Sequence, residues 1–343
     1  MRGLAHGGRL AAAARESGIP PDRWLDLSTG ISPWSWPVPA LPQEVFQRLP
    51  EADGALEGAA AAYYGLPRQR LLPVPGSQWA LGCLPQLVER QAAALPRLAY
   101  AEHGRAWRRA GHRVLRWEEP PELEAAVVSG RVAAAVVVQP ENPTARTFDP
   151  QWLLFLAERL KRRGGLLVVD EAFVDPFPEL SLAPRAGGAL VVLRSLGKFF
   201  GLAGLRLGFA LAAEPLLRRL ARRLDPWAVS GPARWVGARA LADMSWQRRQ
   251  RARLAAAGAA WRRALALRFG AAAVAATPLF TAVALDGEAA RRLDAESRRR
   301  ALLLRFYARG HRAWARLGLP PEGRWQETLA RLEGALRAAE VGR

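Results

Sequence analysis

The sequence predicts an α/β protein whose large domain is built on a mostly parallel β-sheet with helices on both faces. Short, wholly apolar runs typical of buried strands recur from about residue 70, and helical segments separate them. From about residue 232 the pattern changes to long helices rich in arginine, alanine and leucine. These two observations favour a large domain followed by a smaller α+β domain, a division that suits a chain of 343 residues.

The chain divides into three predicted regions. Residues 1–50 are rich in proline and tryptophan and predict an N-terminal arm in an extended form. Residues 51–231 form the predicted large domain, and residues 232–343 form the predicted small C-terminal domain. No repeat, low-complexity tract or Ser/Gly linker interrupts these regions.

Each element of the large domain follows from a local pattern. A helix is predicted over residues 54–64, and the turn at residues 76–78 opens a second helix, whose free N–H groups suit an anion. A third helix is predicted over residues 149–163, with Asp149 as its N-cap and a Gly-Gly stop after it. The predicted buried strands cover residues 132–138, 166–169, 189–193 and 205–212.

The small domain combines helices and short strands. Helical patterns continue to about residue 269, and another helix is expected near residues 288–299. The strand-like segments are residues 272–285, 302–306 and 313–317, and a final helix is expected from Glu322.

The net charge of +19 raises the possibility of nucleic-acid binding. Of the 50 basic residues, only Lys161 and Lys198 are lysine, and the arginines are spread over the whole chain. This distribution indicates a compositional bias with solvated, arginine-rich helix faces. An arginine-rich nucleic-acid-binding protein therefore remains a remote alternative, and we expect no nucleic-acid partner.

Other broad classes are excluded or disfavoured by composition. Cys83 is the single cysteine, which excludes an intrachain disulfide and favours the reducing cytoplasm. No signal peptide is evident, and no apolar run is long enough to span a bilayer, so we expect no membrane association. No His-Glu-x-x-His motif or Cys/His cluster predicts a metal site.

Lys198 is the residue with the clearest chemical potential. It lies in a glycine-rich loop between two predicted strands, with Ser195 three residues before it and Arg206 eight residues after it. A lysine that is partly desolvated in such a loop acts as a nucleophile toward aldehydes. The hydroxyl and guanidinium groups that flank it can converge on a phosphate group.

Two further polar residues follow predicted buried strands. Asn142 comes after the strand that ends at residue 138, and Asp170 directly follows the next one. Side chains at the carboxyl ends of strands in an open α/β sheet point into the crevice where ligands bind. Asp170 can keep a pyridinium nitrogen protonated, and Asn142 can donate to a phenolic oxygen.

Two enzyme classes that share parts of this pattern are excluded. Ser195 and Lys198 match the Ser-x-x-Lys motif of penicillin-binding proteins, but the required Lys-Thr-Gly and Ser-Asp-Asn elements are absent. A nucleotide-binding P-loop is also excluded, because Phe199 follows Lys198 and Val192 occupies the place of the first glycine.

The motifs taken together resemble a known family. Gly-Ser-Gln at 76–78, Asn-Pro-Thr at 142–144, Asp-Glu-Ala-Phe at 170–173 and Ser-Leu-Gly-Lys at 195–198 resemble fold-type I pyridoxal-phosphate enzymes of the histidinol-phosphate aminotransferase branch. His-Gly-Gly at 6–8 and the segments at 25–33, 226–232 and 316–320 narrow the resemblance to the threonine-phosphate decarboxylases of cobalamin biosynthesis. The resemblance implies a PLP-dependent transferase fold of type I with a seven-stranded sheet.

The resemblance also implies roles for particular residues. Lys198 would bind pyridoxal 5'-phosphate covalently, and Asp170 would be the second catalytic residue, paired with the ring nitrogen. The implied cofactor-binding residues are Gly76, Ser77, Gln78, His103, Asn142, Asp170, Ser195, Lys198 and Arg206. The implied substrate-binding residues are His6, Thr29, Gly30, Ser32, Arg305 and Arg316, with Arg316 on the carboxylate and Arg305 on the phosphate.

The implied reaction is decarboxylation of a small phosphorylated amino acid, O-phospho-L-threonine, to (R)-1-amino-2-propanol O-2-phosphate, with a homodimer as the expected assembly. The residues alone leave decarboxylation and transamination open, because both begin from the same complex and differ in the bond that breaks at Cα. A histidinol-phosphate-type aminotransferase is therefore the alternative. The family often has asparagine at position 32 and tyrosine at position 173, where this chain has Ser32 and Phe173.

Overall fold

A computed structural model describes residues 7–309 and 311–341 of the chain. Its contacts divide the chain into two compact units. The sheet unit consists of Ser35–Asn142 and Arg146–Arg249. The C-terminal unit consists of the described residues up to Trp34, the short stretch Pro143–Ala145, and the described residues from Gln250 onward.

The described residues form helices and strands in an alternating order. The helices are α1 (Leu10–Ser17), α2 (Glu44–Gln47), α3 (Ala55–Tyr64), α4 (Ser77–Cys83), α5 (Ala101–Arg109), α6 (Pro120–Val128), α7 (Pro150–Lys161), α8 (Glu214–Ala221), α9 (Gly231–Ala242), α10 (Met244–Phe269), α11 (Gly287–Arg299) and α12 (Trp325–Ala339). The strands are β1 (Leu25–Asp26), β2 (Leu71–Val74), β3 (Ala92–Pro96), β4 (Arg113–Trp117), β5 (Ala134–Val138), β6 (Leu166–Asp170), β7 (Leu190–Ser195), β8 (Gly208–Leu211), β9 (Val274–Thr277), β10 (Phe280–Asp286), β11 (Leu302–Leu303), β12 (Arg305–Arg309) and β13 (Arg312–Gly318).

The sheet unit is built on seven strands in the order β2-β8-β7-β6-β5-β3-β4. Strand β8 is antiparallel to both of its neighbours, and the other pairings are parallel. Every residue of β5 and β6 is buried, as expected for strands that helices cover on both faces. The mostly parallel, seven-stranded α/β sheet that the sequence predicts is therefore confirmed.

Helix α7 shows how local signals define an element. The side chain of Asp149 accepts a hydrogen bond from the backbone N–H of Gln151 at 2.9 Å, and Pro150 occupies the first helical position. The chain leaves the helix through Gly164, whose φ of 68° lies in the left-handed region that favours glycine. The predicted N-cap and stop are both confirmed.

The core of the sheet unit lies between the sheet and its helices. Side chains of α4 and α5 pack there against alternate residues of the central strands, and apolar burial of this kind is the main stabilising contribution in such a layer. Its buried members include Val74, Leu81, Leu84, Leu95, Trp107, Val136, Val168, Val191 and Leu193.

The C-terminal unit contains a four-stranded antiparallel sheet in the order β12-β13-β10-β9. The predicted strand at residues 272–285 is in fact two strands. The hydroxyl oxygen of Thr277 accepts the backbone N–H groups of Leu279 and Phe280, which reverses the chain between β9 and β10. Helices α11 and α12 pack against each other in the same unit.

The N-terminal segment is less extended than the sequence predicts. It contains α1, and its strand β1 pairs in parallel with β11. Ala13, Ala14 and Trp24 are buried in a small apolar cluster with Ala301 and Leu303. This segment is ordered by residues that lie almost 300 positions later in the chain. Among the described helices, none combines the length and the apolar character needed to cross a membrane.

Candidate active site

Lys198 lies in the loop between the antiparallel strands β7 and β8. It is half-buried, and its Nζ lies 5.4 Å from the ring centroid of Phe173 in a cation–π arrangement. Phe173 is buried, so one side of the lysine faces an apolar ring. The structure thus places the candidate nucleophile in the partly desolvated setting that its chemistry needs.

Asp170 is the last residue of β6, at the carboxyl end of a central parallel strand. Its Oδ1 accepts the backbone N–H of Ala172 at 3.1 Å, and its Oδ2 lies 2.9 Å from Nε2 of His103. Because a carboxylate oxygen can only accept, the proton of this contact lies on the imidazole nitrogen. His103 and Asp170 are both buried, so the pair holds the carboxylate in one orientation.

Asn142 belongs to the same edge of the sheet. Val138, the last residue of β5, is the register partner of Asp170, and the backbone N–H of Gln139 donates to the Asp170 carbonyl at 2.8 Å. Asn142 follows three residues later and is buried. The strand order therefore brings this amide and the Asp170 carboxylate to one edge, as the sequence predicts.

The turn before α4, the end of β7 and Arg206 converge on one place. A Cβ atom added at Gly76 would lie 2.7 Å from a terminal nitrogen of Arg206, so the turn and that guanidinium are close together, and the φ of 80° at Gly76 favours glycine there. Ser195 pairs with Gly208 across the β7–β8 ladder, and its hydroxyl oxygen accepts the N–H of Gly197 at 3.1 Å. Arg206 itself has a φ of 52°, which is uncommon for a residue with a side chain.

This convergence fits a phosphate group. Free N–H groups at the start of α4, the hydroxyls of Ser77 and Ser195, and the guanidinium of Arg206 are the donors that phosphate oxygens accept. With Lys198, Asp170 and Asn142 in the same unit, the donor set fits pyridoxal 5'-phosphate.

A buried ion cluster that we did not predict from the sequence involves Glu171 and Arg194, the chain neighbours of Asp170 and Ser195. Arg194, which precedes Ser195, donates to Glu171 at 2.7 Å and also pairs with Asp175. The hydroxyl of Tyr63 donates to Asp175 at 2.6 Å, and the hydroxyl of Ser181 donates to Glu171 at 2.6 Å. The cluster ties the end of β6 to the end of β7, the two strands that carry Asp170 and the Lys198 loop.

The pKa shifts within this cluster have identifiable causes. Burial raises the pKa of Glu171, although Arg194 opposes the shift. Burial also raises the pKa of Tyr63, and the negative charge of Asp175 adds to this increase. Burial by itself lowers the pKa of Arg194, but Asp175 and Glu171 outweigh it and the net change is upward. The guanidinium is therefore always charged and must remain paired.

In the C-terminal unit, Arg305 and Arg316 are directly opposite each other on the antiparallel strands β12 and β13. Opposed residues of such a pair share one face of the sheet. The guanidinium of Arg305 lies 4.7 Å from the ring centroid of Tyr307, and that of Arg316 lies 5.9 Å from the same ring. Arg316 is buried, and its pKa is lowered first by burial and further by the charge of Arg305.

The loop after β1 packs against Arg316. The guanidinium of Arg316 donates to the carbonyl of Ser28, and the N–H of Gly318 donates to the carbonyl of Leu27 at 2.7 Å. The hydroxyl of Ser28 donates to Asp26 at 2.6 Å. Gly30 on the same loop lies beside Gly318, because a Cβ atom added at Gly318 would be 3.5 Å from the backbone nitrogen of Gly30, and Thr29 directly precedes it.

Ser32 is engaged within its own unit. Its hydroxyl donates to the carbonyl of Trp34 at 2.9 Å and accepts the N–H of Trp34 at 3.1 Å and the side-chain amide of Gln250 at 2.8 Å. One donor and two acceptor positions are the full capacity of a hydroxyl. No pattern near Ser32 indicates the contribution from Gln250, which is 218 residues away.

His6, predicted to contact the substrate, lies outside the described residues. Within residues 7–309 and 311–341, no group of three or more histidine, cysteine, aspartate or glutamate side chains is arranged to hold a metal ion.

Comparisons with known proteins agree with this geometry. The family model for aminotransferase class I and II matches residues 42–317. A threonine-phosphate decarboxylase from Pseudomonas aeruginosa is 50% identical over 255 residues, which cover 74% of this chain and 76% of that protein. A threonine-phosphate decarboxylase from Sinorhizobium sp. is 46% identical over 236 residues, 67% of this chain and 69% of that protein.

A solved structure supports the fold. The histidinol-phosphate aminotransferase from Sinorhizobium meliloti, in complex with pyridoxal-5'-phosphate, superposes with a TM-score of 0.81 at 21% identity, covering 98% of this chain and 96% of that chain. At this level of identity the similarity shows the fold alone.

Proposed function

This chain belongs to the class I and II aminotransferase family and, within it, to the threonine-phosphate decarboxylases, and we propose that it converts O-phospho-L-threonine to (R)-1-amino-2-propanol O-2-phosphate and carbon dioxide. It is a pyridoxal-phosphate-dependent carboxy-lyase. The proposed biological setting is cobalamin (corrinoid) biosynthesis.

The proposed cofactor contacts come from the sheet unit. Lys198 binds the cofactor covalently, Asp170 pairs with its ring nitrogen, and Asn142 donates to its ring oxygen. Gly76, Ser77, Gln78, Ser195 and Arg206 hold its phosphate. When bound, pyridoxal phosphate supplies an electron sink for the pair of electrons left at Cα as carbon dioxide departs.

The catalytic roles of the chain's own residues follow from their surroundings. Asp170 remains oriented because His103 donates to its Oδ2 at 2.9 Å. Lys198, beside the apolar ring of Phe173, returns a proton to Cα after decarboxylation. The ion cluster around Arg194 fixes the ends of the two strands that carry these groups.

The observation that carries the substrate assignment is the opposition of Arg305 and Arg316. Two guanidinium groups on one face of the sheet suit a ligand with two anionic groups. A phosphorylated amino acid has a carboxylate and a phosphate. We assign the carboxylate to Arg316 and the phosphate to Arg305, and Thr29 and Gly30 contribute the adjoining loop. His6 remains part of the proposed site.

Ser32 has a different part in the proposal. Because its hydroxyl is saturated by Trp34 and Gln250, it shapes the loop that carries Thr29 and Gly30 instead of binding the substrate through its side chain. His103 acts on the cofactor through Asp170.

The decisive experiment uses protein loaded with pyridoxal phosphate and O-phospho-L-threonine without any keto acid. Release of carbon dioxide and aminopropanol phosphate over many turnovers is the expected result. Absence of release, combined with amino transfer from histidinol phosphate to 2-oxoglutarate, would instead assign the aminotransferase activity.

We further propose that the protein acts as a homodimer in the cytoplasm. The sheet unit exposes seven large apolar side chains, and five of them lie close to α2 or α9 along the chain. We call these five the arm surface: Val38, Phe46, Leu49, Trp227 and Met244. The segment that carries the first three runs beside α9, because Trp36 donates to Asp243 at 3.1 Å and Gly231 closely approaches the Val45 carbonyl. Exposed apolar groups concentrated in this way are typical of an interface.

A further inference from the structure

A cavity of about 210 Å³ opens within the C-terminal unit. Its walls come from α1, from α11 and from residues 303–306, and Ser28 lines one side. The charged groups that line it are Arg9, Glu16, Asp294, Arg298 and Arg305.

The charges in this cavity are not balanced. Arg298 lies 3.0 Å from Asp294 and 3.8 Å from Glu16, so the two carboxylates are engaged with a single guanidinium. Within the part of the chain that the structure describes, the Arg9 side chain makes no hydrogen bond or ion pair. With Arg305, the lining contains three guanidinium groups and two carboxylates.

The position of Arg9 at the start of α1 also favours an anion in the cavity. Arg9 is the N-cap residue of this eight-residue helix, and the first turn contains no acidic residue. A cation at a helix N-terminus is unfavourable because it meets the positive end of the helix dipole. An anion in the cavity would offset both the dipole and the side-chain charge.

The size of the cavity restricts what it can hold. Ligand pockets for larger molecules usually exceed about 300 Å³. A phosphate group with part of its hydration shell fits this space, and a nucleotide or a second cofactor does not.

Ser28 connects the cavity to Arg316, the residue proposed to bind the substrate carboxylate. The N–H of Gly8 donates to the hydroxyl oxygen of Ser28 at 2.8 Å, and Arg316 donates to the Ser28 carbonyl. Arg305, which lines the cavity, is the cross-strand partner of Arg316. A molecule with its carboxylate on Arg316 therefore has an anion-binding cavity beside it.

We propose that Arg9 is a specificity-determining residue that binds the phosphate group of the substrate together with Arg305. This inference rests on the proposed function and deepens it. The chemistry recognised is a phosphate monoester dianion, which Arg9 binds by charge-assisted hydrogen bonds.

The test compares Arg9→Ala, Arg9→Lys and a matched control, Arg15→Ala, an exposed arginine of the same helix. One charge-assisted contact corresponds to roughly ten- to hundred-fold in binding. We expect Arg9→Ala to raise KM for O-phospho-L-threonine by about ten-fold with kcat little changed. Arg9→Lys restores part of the loss, and Arg15→Ala behaves as wild type.

A binding measurement separates recognition from turnover. Inorganic phosphate is the probe, titrated calorimetrically into wild type and variants loaded with pyridoxal phosphate. Its affinity should weaken by the same factor in Arg9→Ala as KM rises. If phosphate binding weakens in Arg9→Ala but KM for O-phospho-L-threonine does not change, the cavity binds only free phosphate. That result would overturn the proposal.

The outcomes distinguish this inference from the proposed function. If Arg305→Ala raises KM and Arg9→Ala does not, the proposed reaction is supported and the phosphate-binding role of Arg9 is rejected. If wild-type protein does not decarboxylate O-phospho-L-threonine at all, the proposed function fails irrespective of the variants. Thermal unfolding of each variant checks that α1 remains folded.

Discussion

Nε2 of His103 lies 2.9 Å from Oδ2 of Asp170, and both side chains are buried. The two residues are 67 positions apart and come from α5 and the end of β6. The imidazole gives the carboxylate a fixed direction at the edge where Asn142 and Lys198 are also found. We therefore treat His103 as a positioning residue for Asp170.

Replacement of His103 by leucine should lower kcat/KM by about ten- to hundred-fold, because a charge-assisted hydrogen bond contributes about 1.5–3 kcal/mol. His103→Gln keeps an N–H donor and should recover much of the activity. The absorbance spectrum of the bound cofactor should shift in the leucine variant and remain close to wild type in the glutamine variant. Wild-type kinetics and spectrum in His103→Leu would disprove the positioning role.

Lys198→Ala should lower turnover by at least about a thousand-fold, because it removes both the covalent attachment and the proton donor. The chain offers a matched control, since Lys161 is its only other lysine and lies exposed on α7 beside Glu158 at 3.4 Å. Lys161→Ala should keep full activity. Borohydride reduction of the loaded protein, followed by proteolysis, should label the peptide that contains Lys198. A label on Lys161 would contradict the assignment.

Much of the sheet unit could be predicted from the sequence because its signals are local. The whole of β5 and the first four residues of β6 are apolar, and Asp149, Pro150 and Gly164 mark the two ends of α7 because of their capping and turn preferences. The motif residues Asp170 and Lys198 were found for the same reason. Each belongs to a short segment whose residue types already suggest its chemistry.

The parts that could not be predicted depend on distant partners. Helix α1 packs against Ala301 and Leu303. No pattern near α1 in the sequence indicates these partners. The bond from His103 to Asp170 depends on the order in which the strands are arranged. Arg194 was overlooked because one more arginine carries little information in a chain with so many, although its position directly before Ser195 was a usable signal.

Arg194→Met should destabilise the protein by about 3–5 kcal/mol, because it leaves the buried carboxylates of Glu171 and Asp175 without their cation. Urea unfolding of the purified variants measures this loss. The control is Arg159→Met, an arginine of α7 whose guanidinium lies 5.0 Å from the ring centroid of Phe155, an exposed side chain. Equal effects of the two substitutions would contradict the role assigned to the cluster.

The pH dependence of stability tests the same cluster independently. Burial raises the pKa of Glu171 above 4.5, so the folded state keeps this proton at pH values at which the unfolded chain has released it. The contribution of Glu171 is therefore complete below about pH 4.5 and is lost as the pH rises through the raised pKa. Glu171→Gln removes this loss. The unfolding free energy of wild type minus that of Glu171→Gln should therefore fall as the pH increases toward neutrality, and a value that is constant with pH would contradict the prediction.

The proposed homodimer predicts that a charge on the arm surface separates the subunits. Phe46 is 61% exposed, and Phe46→Asp would place a carboxylate in a dry interface, where an unpaired charge is strongly unfavourable. We expect wild type to show the mass of a dimer by light scattering after gel filtration, and the variant to show a larger monomer fraction at the same concentration.

Leu267→Asp is the matched control, since Leu267 is 79% exposed near the end of α10 and does not belong to the arm surface. Dissociation by both substitutions would point to general destabilisation. A wild-type monomer would exclude the dimer, and a dimer that persists in Phe46→Asp would place its interface on another face of the molecule.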